Sequence, residues 1–256
     1  LTTISFGCTN TQDTSMNPFF TEYGTPYQIP PFEKIKEEHY MPAFTQGMKE
    51  QLEEIDVITN DPESPSFENT IVELERTGET LDKVSDVFFN LVSSNTNDQM
   101  DSIAAEVTPK LSAHSDAISL NKKLFSRVSS VYAQRNDLNL NTEQMRLVEE
   151  TYKDFIRSGV QLDESSMEKL TKINQELSSL SVQFDQNLLK ETNEGFNLII
   201  EDENQLEGLP DDFRDQAAKL AESEGLSGKW VFKPTRVSMY PFLTYSTQRD
   251  LREKLY

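Results

Sequence analysis

The two histidines are the first residues to consider, because imidazole is the commonest metal ligand and general base in proteins. Neither His39 nor His114 begins a His-Glu-x-x-His pattern, the spacing that places two imidazoles on one helix face around zinc. Glu37 and Glu38 precede His39, but adjacent residues on a helix point in different directions and do not form a functional pair. We therefore predict a capping or surface role for both histidines and no metal site in this chain.

Other kinds of chemistry have no better support in the sequence. A serine nucleophile would be expected in a Gly-x-Ser-x-Gly elbow, and neither that pattern nor a glycine-rich phosphate loop occurs. Cys8 is the only cysteine, so no intrachain disulfide and no cysteine-based zinc site can form. The 44 acidic residues offer many carboxylate pairs, but no pattern singles one out. We predict no catalytic residue and no cofactor in this chain.

Cys8 is a candidate lipidation site. Gly7 is the small residue that precedes the modified cysteine of bacterial lipoproteins, although Ser5 stands where an aliphatic residue is usual. Residues 1–16 would then be a polar tether after a removed signal segment, and the protein would lie in the bacterial cell envelope or periplasm. The alternatives are an ordinary polar terminus with a chance cysteine and a cytoplasmic location.

The composition limits the classes of partner. A formal charge of −20 opposes binding to nucleic acid or to anionic lipid, because both carry negative charge. The acidic residues are interspersed with lysines and apolar positions, which is typical of solvated helix surfaces. A surface that prefers cationic ligands is the alternative. No run of about eighteen apolar residues is present, so no spanning helix is expected in these residues.

The spacing of apolar residues predicts a mainly α-helical fold. Residues 17–31 are rich in proline and glycine and should form an extended arm, and residues 32–195 should form a helical domain. Pro42 is tolerable only in a first helical turn, so a helix should begin near residues 38–41, and Pro109 should kink a helix or mark a boundary. Ser66 is a good N-cap, and Asn141 with Gln144 resembles a capping box. The longest helix, from residue 163 to about 192, carries a stripe expected to be core: Met167, Leu170, Ile173, Leu177, Leu180, Phe184 and Leu188.

The pattern changes after residue 195. Residues 196–200 and 229–233 alternate like strands and should pair as a small sheet, so a β element is expected near residues 196–240. A helix should follow Pro210, and a last helix should begin near Ser246. Because this helix carries no end signal at Tyr256, we expect residues 196–256 to be a small α+β segment that leads into a further, missing domain.

Several stretches, in order along the chain, resemble the M3 family of zinc oligopeptidases (the thimet oligopeptidase family), in particular its dipeptidyl carboxypeptidase branch. The first is the segment Pro-Pro-Phe-Glu-Lys-Ile-Lys-Glu-Glu-His-Tyr-Met-Pro-Ala-Phe at residues 30–44. The resemblance covers residues 17–256. The other stretches are residues 67–71 with 74–78, residues 88–91 with 94–97, residues 177–191, and residues 206–210 with 228–230.

The resemblance implies a mostly helical clamshell in which a zinc ion, held by His-Glu-x-x-His and a distant Glu, activates water. No position here matches those residues, which belong to the later half of the family pattern. The chain would be the N-terminal, non-catalytic portion of a peptidyl-dipeptidase, which releases C-terminal dipeptides from short peptides. It would form one wall of the substrate channel, with the missing catalytic domain and short peptides as partners. The alternatives are an M3 oligoendopeptidase and a stand-alone helical binding protein of the envelope.

Overall fold

The structure, a computed structural model, describes residues 17–256, so Cys8 and the expected tether lie outside the described residues. The mainly helical fold and the small sheet expected from the sequence are both confirmed. The chain divides into two compact units, the first running through Val182 and the second from Gln183 to Tyr256. None of the helices between residues 17 and 256 combines the length and the apolar character that a membrane span requires.

Local capping signals explain where several helices of the first unit begin. The Ser66 hydroxyl accepts a hydrogen bond from the Asn69 N–H at 3.1 Å, and Asn141 and Gln144 form the expected capping box. A π-helical turn, Phe67–Val72, leads directly into α2. The helices of this unit are α1 (Glu37–Asn60), α2 (Glu73–Arg76), α3 (Glu79–Ser94), α4 (Asp98–Ser119), α5 (Lys122–Gln134), α6 (Thr142–Arg157) and the first part of α7 (Glu164–Glu194).

Two prolines lie deeper in helices than the sequence suggested. Because α1 begins at Glu37, Pro42 lies in its second turn and not in its first, so that prediction was wrong. Pro109 lies inside α4 without dividing it, so it does not mark a boundary. A proline removes one backbone donor from a helix. Burial of neighbouring side chains, such as Phe44 in α1 and Val107 in α4, offsets that cost.

An aromatic cluster forms the core where α1, α3 and α4 meet. The Phe44 and Phe88 rings lie edge to face with centroids 5.3 Å apart. The centroid of the Tyr40 ring lies 4.9 Å from that of Phe88. Burial, together with the nearby Glu37 carboxylate, raises the pKa of Tyr40 to about 12. The helices can approach closely because α1 has Gly47 at the crossing, where an added Cβ would lie 2.8 Å from a backbone nitrogen of α3.

A second apolar core joins the end of α1 to the π-helical turn, α5 and α6. The buried Arg127 side chain links α5 to the connection that follows α1. Its Nη1 donates to the backbone carbonyls of Asp61 and Glu63 at 3.0 and 3.2 Å, and its Nη2 donates to the Asp61 carboxylate at 3.2 Å. The buried apolar residues of this core are Ile55, Ile58, Phe67, Ile71, Leu124, Val128, Val131, Val148, Phe155 and Val160.

Helix α7 differs from the other long helices. Its stripe was expected to be core, but none of the α7 side chains that the structure describes is buried. Met167 and Leu170 are half-buried, whereas Ile173, Leu177 and Leu180 are more than half exposed. The expectation of a buried stripe was therefore wrong for most of its members, because apolar spacing identifies a face without identifying what covers it.

The second unit contains the last part of α7 and the two-stranded sheet. Strands β1 (Leu198–Ile200) and β2 (Trp230–Phe232) pair antiparallel, with Ile199 opposite Val231. The helices that follow β1 and β2 are α8 (Asp211–Ser223), α9 (Arg236–Tyr245) and α10 (Arg249–Leu255). Helix α9, which has Pro241 in its interior, was not predicted from the sequence.

Candidate functional site

A groove of the first unit lies beside the N-terminal half of α1, with a volume of about 910 Å³. Its apolar lining comes from Phe20, Met41, Pro42 and Ile103, whereas three glutamates supply carboxylates. Such a combination can hold an extended segment that has both apolar and cationic side chains. The glutamates are Glu37, Glu38 and Glu50.

Only part of this negative charge is neutralised by neighbouring groups. The Lys36 Nζ lies 3.8 Å from the Glu38 Oε1. Because both side chains are exposed, solvent weakens this ion pair. Glu37 accepts from the Asn97 amide at 3.3 Å, and Glu50 accepts from the Gln46 amide at 2.7 Å. Because amides carry no net charge, these hydrogen bonds leave the negative charge of Glu37 and Glu50 in the groove.

His39 has the capping role that the sequence predicted. Its Nδ1 accepts a hydrogen bond from the Lys36 N–H at 3.1 Å, at the start of α1. The backbone carbonyl of the same residue accepts from the Asn17 amide at 2.9 Å, which links the N-terminal segment to the helix. His39 therefore fixes where α1 begins.

His114 is buried and its ring pairs with Gln51, so the predicted capping or surface role was wrong for this residue. It lies on α4, 8% exposed, beside a pocket of about 410 Å³ within the first unit. Its Nε2 pairs with the Gln51 side-chain oxygen at 2.7 Å, and the Gln51 amide donates to the Thr77 hydroxyl at 3.3 Å. Burial lowers the pKa of His114, which keeps the ring neutral at pH 7.

The side chains of residues 17–256 do not fit a zinc site. No group of three or more His, Cys, Asp and Glu side chains in this range is placed to hold a metal ion. Each histidine already uses a ring nitrogen in a structural hydrogen bond, His39 with Lys36 and His114 with Gln51.

The residues that line the acidic groove were not predicted from the sequence. Glu38, Met41 and Thr45 recur at helical spacing, which could have indicated a common face of α1. The other side of the groove comes from Phe20 and Ile103, which lie far away in the sequence. Spacing within one helix cannot identify such partners.

The comparisons with known proteins give partial matches, although no family model matches the chain. The chain is 36% identical over 243 residues to the dipeptidyl carboxypeptidase of Escherichia coli, which covers 95% of the chain but 36% of that protein. The Salmonella typhimurium dipeptidyl carboxypeptidase gives 36% identity over 94% of the chain and 35% of its own length.

Oligopeptidases are more distant matches. Oligopeptidase A of Haemophilus influenzae is 29% identical over 89% of the chain and 33% of its own length. The chain thus spans about a third of the length of the curated relatives that it matches. The chain is therefore a relative of the M3 peptidases, most of whose length lies outside the match.

Proposed function

We propose that this chain is the N-terminal, non-catalytic portion of a zinc peptidyl-dipeptidase, in which it forms one wall of the substrate channel. The observation that carries the proposal is the 36% identity to a dipeptidyl carboxypeptidase over 95% of the chain. The whole enzyme would release dipeptides from the C-termini of short peptides. Its zinc ion and its catalytic groups would come from the part of the protein outside this chain.

The role of the chain in such an enzyme would be to bind and orient peptides. The acidic groove beside α1 supports this role, because its carboxylates attract basic side chains while Phe20 and Met41 contact apolar ones. A net charge of −20 adds a long-range attraction for cationic peptides at low ionic strength. Peptide entry would then depend on salt concentration.

The oligopeptidase A matches favour a second candidate activity. A protein of that class would cleave internal bonds of short peptides, and this chain would have the same non-catalytic role in it. The lower identity, 29% against 36%, makes the peptidyl-dipeptidase the preferred proposal.

The experiment compares the full gene product with the 256-residue chain, measuring the zinc content of both and the release of dipeptides from short peptides. We expect zinc and activity in the full product and neither in the chain. Removal of zinc by a chelator should abolish activity, and added zinc should restore it. A stable, metal-free and inactive full gene product would contradict the proposal and favour a binding protein of the envelope. Release of longer fragments would favour the oligoendopeptidase.

A location in the cell envelope, through lipid on Cys8, is part of the same proposal and rests on Gly7 and Cys8 alone. Labelling with a radioactive fatty acid should modify the wild-type gene product and not a Cys8→Ala variant. Equal labelling of the two would exclude Cys8 as the lipidation site, and no labelling of either would favour the cytoplasm.

A further inference from the structure

One face of α7 carries large apolar side chains in contact with solvent. Ile173, Leu177 and Leu180 are 58%, 61% and 54% exposed, and we call these three residues the α7 stripe. The same spacing continues with Phe184 and Leu188, 66% and 56% exposed, in the part of α7 that belongs to the second unit. Contiguous apolar exposure of this kind is typical of a surface that another polypeptide covers.

The polar residues around the α7 stripe also favour burial. Between Ile173 and Phe184 the helix carries a single charged residue, Glu176, although 27% of the chain is charged. The remaining positions between them are serine, asparagine, glutamine, leucine and valine. Centres of protein interfaces are depleted of charge in the same way, because desolvating a charge is costly. A solvent-exposed helix face would be expected to carry several charged side chains.

The opposite face of α7 is attached to the first unit. The Asn174 amide donates to the Asp116 carboxylate of α4 at 2.8 Å. Asn174, Gln175 and Ser178 are half-buried, so this side of the helix already has its contacts. The α7 stripe is therefore the free side of a helix that is fixed on its other side.

We infer that the α7 stripe packs against the remainder of the full-length protein, the part that corresponds to the two thirds of the M3 relatives outside the match. This inference rests on the proposed function. The relatives are long enough to include such a covering segment, because the match spans only 36% of the Escherichia coli protein. A second copy of the chain is the less suitable occupant. Each copy carries a formal charge of −20, so two copies repel each other at low ionic strength.

The test is hydroxyl-radical footprinting, read by mass spectrometry, of the 256-residue chain and of the full gene product. Oxidation of Leu177 and Leu180 should be strong in the chain and lost in the full product. Val237, 81% exposed on α9, is the reference for an apolar side chain outside the stripe. Equal oxidation of the stripe in both forms would overturn the inference, and so would a gene that ends at Tyr256.

Variants separate the inference from the proposed function. The double substitution Leu177→Ser with Leu180→Ser should lower the thermal midpoint of the full product and leave that of the chain unchanged, whereas Val237→Ser should change neither. A full product with a protected stripe but without peptidase activity would contradict the proposed function and leave the inference intact. Protection that appears in the chain alone as its concentration rises would show that a second copy is the occupant, and would overturn the inference.

Discussion

Helices α3 and α7 have similar apolar spacing but opposite surroundings. The 16-residue α3 buries Leu81, Val84, Val87 and Phe88 in the aromatic core. The 31-residue α7 buries none of its described side chains, although its stripe has the same three- and four-residue spacing. Amphipathic spacing therefore specifies that a helix has an apolar side, and the rest of the polypeptide decides whether that side is covered.

The stability of the two helices should have different sources. Helix α3 is held by tertiary contacts such as the Phe44–Phe88 ring pair. Helix α7 has no internal Gly or Pro, and the Asp163 carboxylate caps its first turn by accepting from the Ser166 N–H at 3.0 Å. It thus depends more on backbone propensity and capping than on burial.

The largest effect is expected in the aromatic core. Phe88→Ala should lower the free energy of unfolding by about 3–5 kcal/mol, because it removes a fully buried ring and leaves a cavity. Chemical denaturation followed by circular dichroism would measure this change. Phe88→Leu, which keeps most of the volume, should cost clearly less. Equal losses for the two variants would show that cavity formation is not the cause.

A smaller effect should follow from the buried imidazole of the same region. Because burial lowers the pKa of His114 below 6.5, the unfolded state binds more protons than the folded state just below pH 6.5. The free energy of unfolding should therefore fall as the pH drops from about 6.5, and the His114 contribution should be constant above that pH. Urea midpoints measured from pH 8 to pH 5.5 would show this fall. His114→Gln should reduce it, and an unchanged slope would contradict the assignment.

The smallest effect is expected on α7. Leu177→Ser and Leu180→Ser should each change the stability of the 256-residue chain by less than about 0.5 kcal/mol, because exposed side chains lose few contacts. The measurement is the same denaturation experiment, with the buried position Val84→Ser as the contrast. A loss close to that of Val84→Ser would show that the stripe is covered in the chain itself.

The parts of the fold that the sequence predicted are those set by residues close together in the chain, such as helix caps and alternating strands. Ser66 and Asn141 each cap a helix as expected, because a cap depends on residues only a few positions apart. The strand pairing of residues 198–200 with 230–232 followed from alternation. Helix α9 was not predicted. It contains Pro241, a general helix breaker, and burial of the adjacent Phe242 offsets the cost of that proline only in the folded unit.

The candidate site was less predictable than the fold. The groove needs Phe20 and Ile103 as well as α1, and no spacing rule relates these distant residues to that helix. The position of His114 depended on Gln51, which comes from another helix. The resemblance to a family predicted what kind of protein this is, but the arrangement of side chains around a cavity required the tertiary structure.

The single tryptophan of the chain allows the unfolding of one unit to be followed by fluorescence. Trp230 lies in β2 and packs on the apolar core of the second unit. Its fluorescence therefore reports on that unit, whereas the far-ultraviolet helix signal comes mainly from the six helices α1–α6 and the start of α7. Two probes recorded on one unmodified sample can thus follow the two units separately, and the offset between their melting curves would measure how strongly the units unfold together.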